Sequence, residues 1–139
     1  GASAICAGPT AVDADLDWAE VLLGSVGTVV RVPERSMDAV TGLSGSGPAY
    51  VFLVAEALID AGVAAGLPRD VADRLTRQTL LGSARLLAES DDGPEALRAA
   101  VTSPGGTTAA GLRQLESHAV RAAVIDAVAA ATARSAELG

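Results

Sequence analysis

The residues best suited to chemistry in this chain crowd into one stretch, Thr102-Ser103-Pro104-Gly105-Gly106-Thr107-Thr108. Two adjacent glycines remove the side chains that would hold a ligand away from the backbone. The segment that follows reads as a helix, whose first turn would present unpaired N–H groups and the positive end of its dipole. Four hydroxyls stand around the same turn, on Thr102, Ser103, Thr107 and Thr108. Together these suit a small anion such as a carboxylate. The same residues also describe a plain helix–helix turn, with Ser103 or Thr107 as N-cap and the glycines only reversing the chain. A cap uses one hydroxyl, so the surplus leaves both readings standing.

Other candidates are weaker. Gly42-Leu43-Ser44-Gly45-Ser46-Gly47 looks like a phosphate loop, but its glycine spacing is not that of a dinucleotide fingerprint and no strand precedes it. One histidine and one cysteine, His118 and Cys6, lie far apart, which argues against a zinc site. Asp91 and Asp92 read as a capping or solvated loop pair, His118 as a group at a helix C-terminus, and Cys6 as a small buried hydrophobe. The expected metal content is none.

The elements that must position these residues fall into two patterns. Ser3–Ala7 and Thr28–Val32 read as strands, and Asp13–Val26 between them as a helix with three aspartates in its first turn. Strand, helix, strand is a βαβ unit with parallel, buried strands. Two such strands make no stable sheet alone, so they pair with another chain or belong to a larger sheet. From Glu34 onward only helices are expected: Glu34–Leu43, a break at the Gly/Ser stretch, then a long helix from Pro48 to near Gly66. Val51, Phe52, Leu53, Val54, Leu58, Ile59 and Val63 cover almost the whole circumference of that helix, relieved only by Glu56 and Asp60. A helix apolar all round is normally buried on every side, which here implies a second subunit. Further helices are expected over Arg69–Glu89, with the pairs Asp70–Arg74 and Asp73–Arg77, then Pro94 to Val101 or Thr102, Thr107–Ser117 and Ala119–Leu138.

Composition agrees with close-packed helices. Half of the 139 residues are hydrophobic, yet only Trp18, Tyr50 and Phe52 are aromatic. Ala, Val and Leu dominate, a mix that disfavours an all-β fold. Ten arginines against seventeen carboxylates give a net charge of −7, which argues against nucleic-acid partners. The longest uncharged stretch, Ala39–Ala55, holds Gly42, Gly45, Gly47 and Pro48, so no membrane-spanning segment is expected. A lone cysteine fits a reducing, cytoplasmic setting. The abrupt start in apolar sequence, without an initiator Met, suggests a piece of a longer chain.

Several segments carry a resemblance. Thr41-Gly42-Leu43-Ser44-Gly45-Ser46-Gly47-Pro48-Ala49-Tyr50 resembles a segment of the pyrroline-5-carboxylate reductases, and Val101 to Leu112 is similar to that family's signature. Ala7-Gly8-Pro9 and Gly66-Leu67-Pro68-Arg69 also fit, so the resemblance covers essentially the whole chain. It implies a mainly α fold: a helical dimerisation domain over residues 34–139, preceded by the last βαβ piece of a Rossmann domain over residues 1–33. It implies NAD(P)H-dependent reduction of 1-pyrroline-5-carboxylate to proline, with NADPH or NADH held mainly by a Gly-rich N-terminal segment outside this sequence. The chain alone would then be inactive. It implies a homodimer or a larger ring of dimers, with no nucleic-acid or membrane partner.

By the same resemblance, Val101, Ser103, Gly105, Gly106, Thr107 and Thr108 are substrate-binding positions, and Thr108 is the catalytic candidate, bonded to the imine nitrogen. A threonine hydroxyl could orient the imine or relay a proton but is too weak an acid to supply one unaided. Thr41, Ser44, Gly45 and Ser46 would line the nicotinamide side of the pocket, although Gly45 and Gly47 serve equally well as a helix break with tight packing. Two alternatives stay open: a non-catalytic helical homodimerisation module, and a related Rossmann-plus-helical dehydrogenase acting on another small acid.

Overall fold

The computed structural model describes all residues from Gly1 to Gly139. Strands β1 (Ala2–Ile5) and β2 (Thr28–Arg31) pair in parallel, Ala2 opposite Thr28 and Ile5 opposite Arg31, with helix α1 (Asp13–Gly24) as the crossover. This is the expected βαβ unit, except that its strands are not buried: β1 is mostly half-exposed and β2 mostly exposed, two strands being too few to cover each other. Asp15 secures the start of α1 by accepting the Val12 N–H at 2.9 Å, one of the four donors a helix N-terminus leaves orphaned. From β2, Arg31 reaches both Asp17 and Glu20 of α1, which fixes the helix over its sheet.

The next segment departs from expectation. Glu34–Ser36 is a 3₁₀ turn, Met37–Val40 is α-helical (α2), and Thr41–Gly45 winds into a π turn. Helix α3 follows at Gly47–Ala64. The Gly/Ser stretch therefore does not break the chain. Glu34–Ala64 runs as one helical stretch of 31 residues with mean hydropathy 1.4, long and apolar enough by length and composition to cross a membrane. Gly42, Gly45, Gly47 and Pro48, on which the opposite expectation rested, do not interrupt it, because glycine lowers helix propensity without forbidding a helix and Pro48 falls in the first turn of α3, directly after the π turn.

Helices α4 (Arg69–Glu89), α5 (Pro94–Ala100), α6 (Thr107–Ser117) and α7 (Val120–Leu138) lie close to their expected bounds. Asp73 and Arg77 form the expected ion pair at 2.8 Å. Asp70 and Arg74 do not; Arg69 instead reaches back to Asp60 on α3 at 2.6 Å. The missing local pair would have been worth only tenths of a kcal/mol.

The chain forms two compact units, residues 1–48 with 123–139, and residues 49–122. Neither contains much of a core. Only Gly42, Ala72 and Thr76 are buried, and most of α3 is exposed, with Phe52 and Leu53 each at 66% and Tyr50, Ala55, Ile59 and Gly62 half-buried along one side.

Candidate functional site

The hydroxyl-rich turn belongs to the second unit and is built from the end of α5. Thr102 Oγ1 donates to the Arg98 carbonyl at 2.6 Å and the Thr102 N–H to Ala99 at 3.0 Å, closing that helix. The Gly106 N–H then bonds the Ser103 carbonyl at 3.0 Å across Pro104 and Gly105, with Gly105 at φ +71°. Proline second and a positive-φ glycine third is the signature of a type II turn. Gly106, at φ −77° and ψ 175°, occupies the N-cap position of α6, and no side chain caps it. The capping alternative is thereby overturned for both Ser103 and Thr107. The type II turn has already aligned Gly106 as the helix entry, so no hydroxyl is needed there.

Several donors are left uncommitted as a result. The first α6 bond runs from the Ala110 N–H to Gly106, so the N–H groups of Thr107, Thr108 and Ala109 have no protein acceptor. The hydroxyls of Ser103, Thr107 and Thr108 make no hydrogen bond either; of the four, only that of Thr102 does. Ser103, Gly105, Thr107 and Thr108 are exposed, and Gly106 is half-buried. A Cβ placed on Gly106 would land on Ser103 Oγ, so the glycine makes room for that hydroxyl inside the turn. An apolar groove of about 290 Å³ between α4 and α5, lined by Leu86, Leu87, Leu97 and Arg98, ends at Val101, the first residue of the motif.

Thr41, Ser44, Gly45 and Ser46 lie in the other unit, on the π turn. The Ser46 N–H bonds the Thr41 carbonyl at 2.8 Å, the i→i+5 register. The Thr41 and Ser44 hydroxyls donate back to Met37 and Val40, each at 3.1 Å, which commits their protons and leaves their lone pairs. Gly45 and Gly47 do not serve close packing: a Cβ on either would meet ordinary contact or open space. The glycine that does is Gly42, where a Cβ would strike Thr132 Oγ1 and come within 2.9 Å of the Val128 carbonyl. Sequence reasoning quoted Gly42 in a motif but gave it no role. Its partners lie on α7, and nothing local marks them.

The remaining candidates are structural. His118 stands at the C-cap of α6, acting through its backbone N–H to Gln114 at 3.1 Å. Cys6 is half-exposed rather than buried, and its thiol donates to Glu34 Oε2 at 2.8 Å. That hydrogen bond, then partial burial and the Glu34 charge, raise the thiol above its ordinary range. No three His, Cys, Asp or Glu side chains gather as a metal site.

Comparison with known proteins bears on the whole chain. The family model described as pyrroline-5-carboxylate reductase dimerisation matches residues 34–138. Among relatives, the pyrroline-5-carboxylate reductase of Synechocystis sp. is 52% identical over all 139 residues and that of Arabidopsis thaliana 50% identical over 137, the alignments covering 52% and 50% of those proteins. The structure of the Coxiella burnetii pyrroline-5-carboxylate reductase superposes with a TM-score of 0.94 at 40% identity, over 99% of this chain and 52% of that one. The Plasmodium falciparum pyrroline carboxylate reductase, solved with NADP bound, gives 0.86 at 38% identity over 96% of this chain and 54% of its own. This chain thus spans about half the length of the relatives it matches. With the family model covering the helical stretch from Glu34 to Leu138 and the likeness to relatives extending back through the βαβ unit, the chain belongs to the pyrroline-5-carboxylate reductase family.

Proposed function

We propose that this chain supplies two parts of an NAD(P)H-dependent pyrroline-5-carboxylate reductase, the last enzyme of proline synthesis: the dimer-forming helices and the turn that holds the substrate carboxylate. The observation that carries the second part is the set of uncommitted donors at Ser103, Thr107, Thr108 and Ala109. A carboxylate bonded by several N–H and O–H groups at a helix N-terminus needs no cationic side chain. Ser103 and the Gly106–Thr108 backbone bind the carboxylate, Gly105 shapes the turn, Val101 closes its apolar side, and the Thr108 hydroxyl orients the imine nitrogen. The cofactor, NADPH or NADH, supplies the hydride to the imine carbon while a proton reaches the nitrogen. This chain holds no Gly-rich dinucleotide turn, so the nucleotide is bound mainly by the rest of the reductase. Thr41, Ser44, Gly45 and Ser46 line its nicotinamide side, and the free lone pairs of Thr41 and Ser44 suit the N–H groups of a carboxamide.

The dimer reading rests on exposed surface. The chain exposes 10221 Å², whereas a folded monomer of 13.7 kDa exposes about 6,600 Å². The excess on one chain, roughly 3,600 Å², exceeds one partner's share of most obligate interfaces, which leaves room for the rest of the reductase as well as for a second copy. A second copy over α3 gives the apolar Glu34–Ala64 stretch a destination other than a lipid bilayer, which is compatible with a cytoplasmic protein.

The test is reconstitution with the nucleotide-binding half of a relative such as the Synechocystis enzyme, following NADPH oxidation with 1-pyrroline-5-carboxylate. Turnover that falls sharply in the Gly106→Ala/Thr108→Ala double variant supports the assignment. Absent turnover, or undiminished turnover in the double variant, refutes it.

A further inference from the structure

We propose that Ser135 and Thr132 of α7 are positioning residues that hold the Thr41–Ser46 wall in its π register and thereby set how the nicotinamide is seated; this rests on the reading of that wall above. A π turn is rare and less favourable than the α register. Two glycines within Thr41–Gly45 leave this segment little preference for any helical register. Such a conformation persists only where its surroundings over-determine it.

Those surroundings are on α7. Gly42 is buried against it, so closely that a Cβ would collide with Thr132 Oγ1, the Val128 carbonyl and the Thr132 nitrogen. Thr132 Oγ1 is itself fixed by donating to Val128 at 2.8 Å. One helical turn away, Ser135 Oγ donates to Asp38 Oδ1 at 2.7 Å in a partly buried setting, 97 residues apart in sequence. Asp38 and Gly42 are i,i+4 neighbours, Thr132 and Ser135 i,i+3 neighbours, so the two attachments define one antiparallel seam. On the opposite side, Leu43 and Ser44 face a cavity of about 190 Å³ bounded by Ala4 and Val30 of the sheet. The side of the turn packed most closely is therefore the one against α7.

The experiment uses the full-length reductase with Ser135→Ala, Ser135→Thr, Gly42→Ala and Gly42→Ala/Thr132→Ala. Ser135→Ala should raise the KM for NADPH about fivefold and speed amide exchange at Ser46, while inhibition by a carboxylate analogue of the substrate stays unchanged. Ser135→Thr, which keeps the hydroxyl, should restore the KM. Gly42→Ala should have the larger effect, and Thr132→Ala should relieve part of it. Parallel changes in every constant that merely follow the fall in Tm, or a Ser46 amide that exchanges at its original rate, overturn the proposal. A wild-type enzyme that does not reduce pyrroline-5-carboxylate refutes the functional reading instead, and Ser46 exchange still decides whether α7 holds the turn.

Discussion

Replacing Gly106 with alanine separates the stability of the turn from its capacity to bind. At φ −77° and ψ 175° the backbone is open to any residue, so alanine costs nothing there and restricts the unfolded chain slightly. Its Cβ would occupy the place of Ser103 Oγ and lie 3.2 Å from the Ser103 carbonyl. A serine hydroxyl escapes by turning to another staggered rotamer, at a cost below about 1 kcal/mol. Tm should therefore move by no more than about 4 °C. Binding should change far more, because a hydrogen bond to a charged group contributes about 1.5–3 kcal/mol, or roughly 10- to 150-fold in affinity.

The measurement is the KM for pyrroline-5-carboxylate and the inhibition constant of a carboxylate analogue, taken for Gly106→Ala, Ser103→Ala and the pair. If the alanine acts by evicting the Ser103 hydroxyl, the double variant binds no worse than Ser103→Ala. A further tenfold loss from Gly106→Ala in the Ser103→Ala background would refute this reasoning and make close approach of ligand to the Gly106 backbone the reason for the glycine. Gly105→Ala is the control of opposite kind: at φ +71° it meets no neighbour but strains the backbone by about 1–2 kcal/mol, lowering Tm first.

Three other outcomes are expected. Phe52→Glu together with Leu53→Glu on the exposed face of α3 should weaken self-association at least about 100-fold, read by sedimentation velocity at micromolar concentration; an unchanged dimer removes α3 from the interface. Cys6 should alkylate more slowly than a free thiol at neutral pH, since the Glu34 hydrogen bond favours its protonated form. Because its folded value is raised, the stability it contributes is present below the free-thiol pKa and lost as pH rises through the folded one, and Glu34→Ala, which removes both acceptor and charge, should weaken both effects. Inhibition of the reductase by a carboxylate analogue should change less than about threefold between 0.05 and 0.5 M salt, as contact hydrogen bonds are screened far less than exposed charges.

Helix boundaries were legible where proline or glycine marks them: Pro94 begins α5 and Gly106 precedes α6 as the pattern requires. The same punctuation misled at Gly42–Pro48. There the register answers to α7, nearly a hundred residues downstream, and no local propensity encodes that contact. The hydroxyl surplus at Thr102–Thr108 was visible in the sequence, but which residue caps the helix was not. That depended on the type II turn handing the cap position to Gly106. The Asp70–Arg74 pair did not form although its spacing allows it, since an exposed i,i+4 pair gains only tenths of a kcal/mol, while the Arg69–Asp60 pair between α4 and α3 was not visible in local spacing.

Net charge gives no sign of the proposed carboxylate ligand, and the residues around the turn show why it need not. Overall the chain carries −7, yet no carboxylate side chain lies between Glu95 and Glu116, while Arg98 and Arg113 do. Neither arginine is engaged in an ion pair. The stretch proposed to meet a carboxylate is therefore locally cationic within an acidic chain. Exposed charges beyond about 8 Å are largely screened at physiological ionic strength, so net charge by itself says little about the field at Ser103–Thr108. Fixed N–H and O–H dipoles act at contact, where screening fails and specificity arises. An anion site of this kind can sit on an acidic protein because it answers to a few ångströms of arranged donors, not to the sum of distant charges.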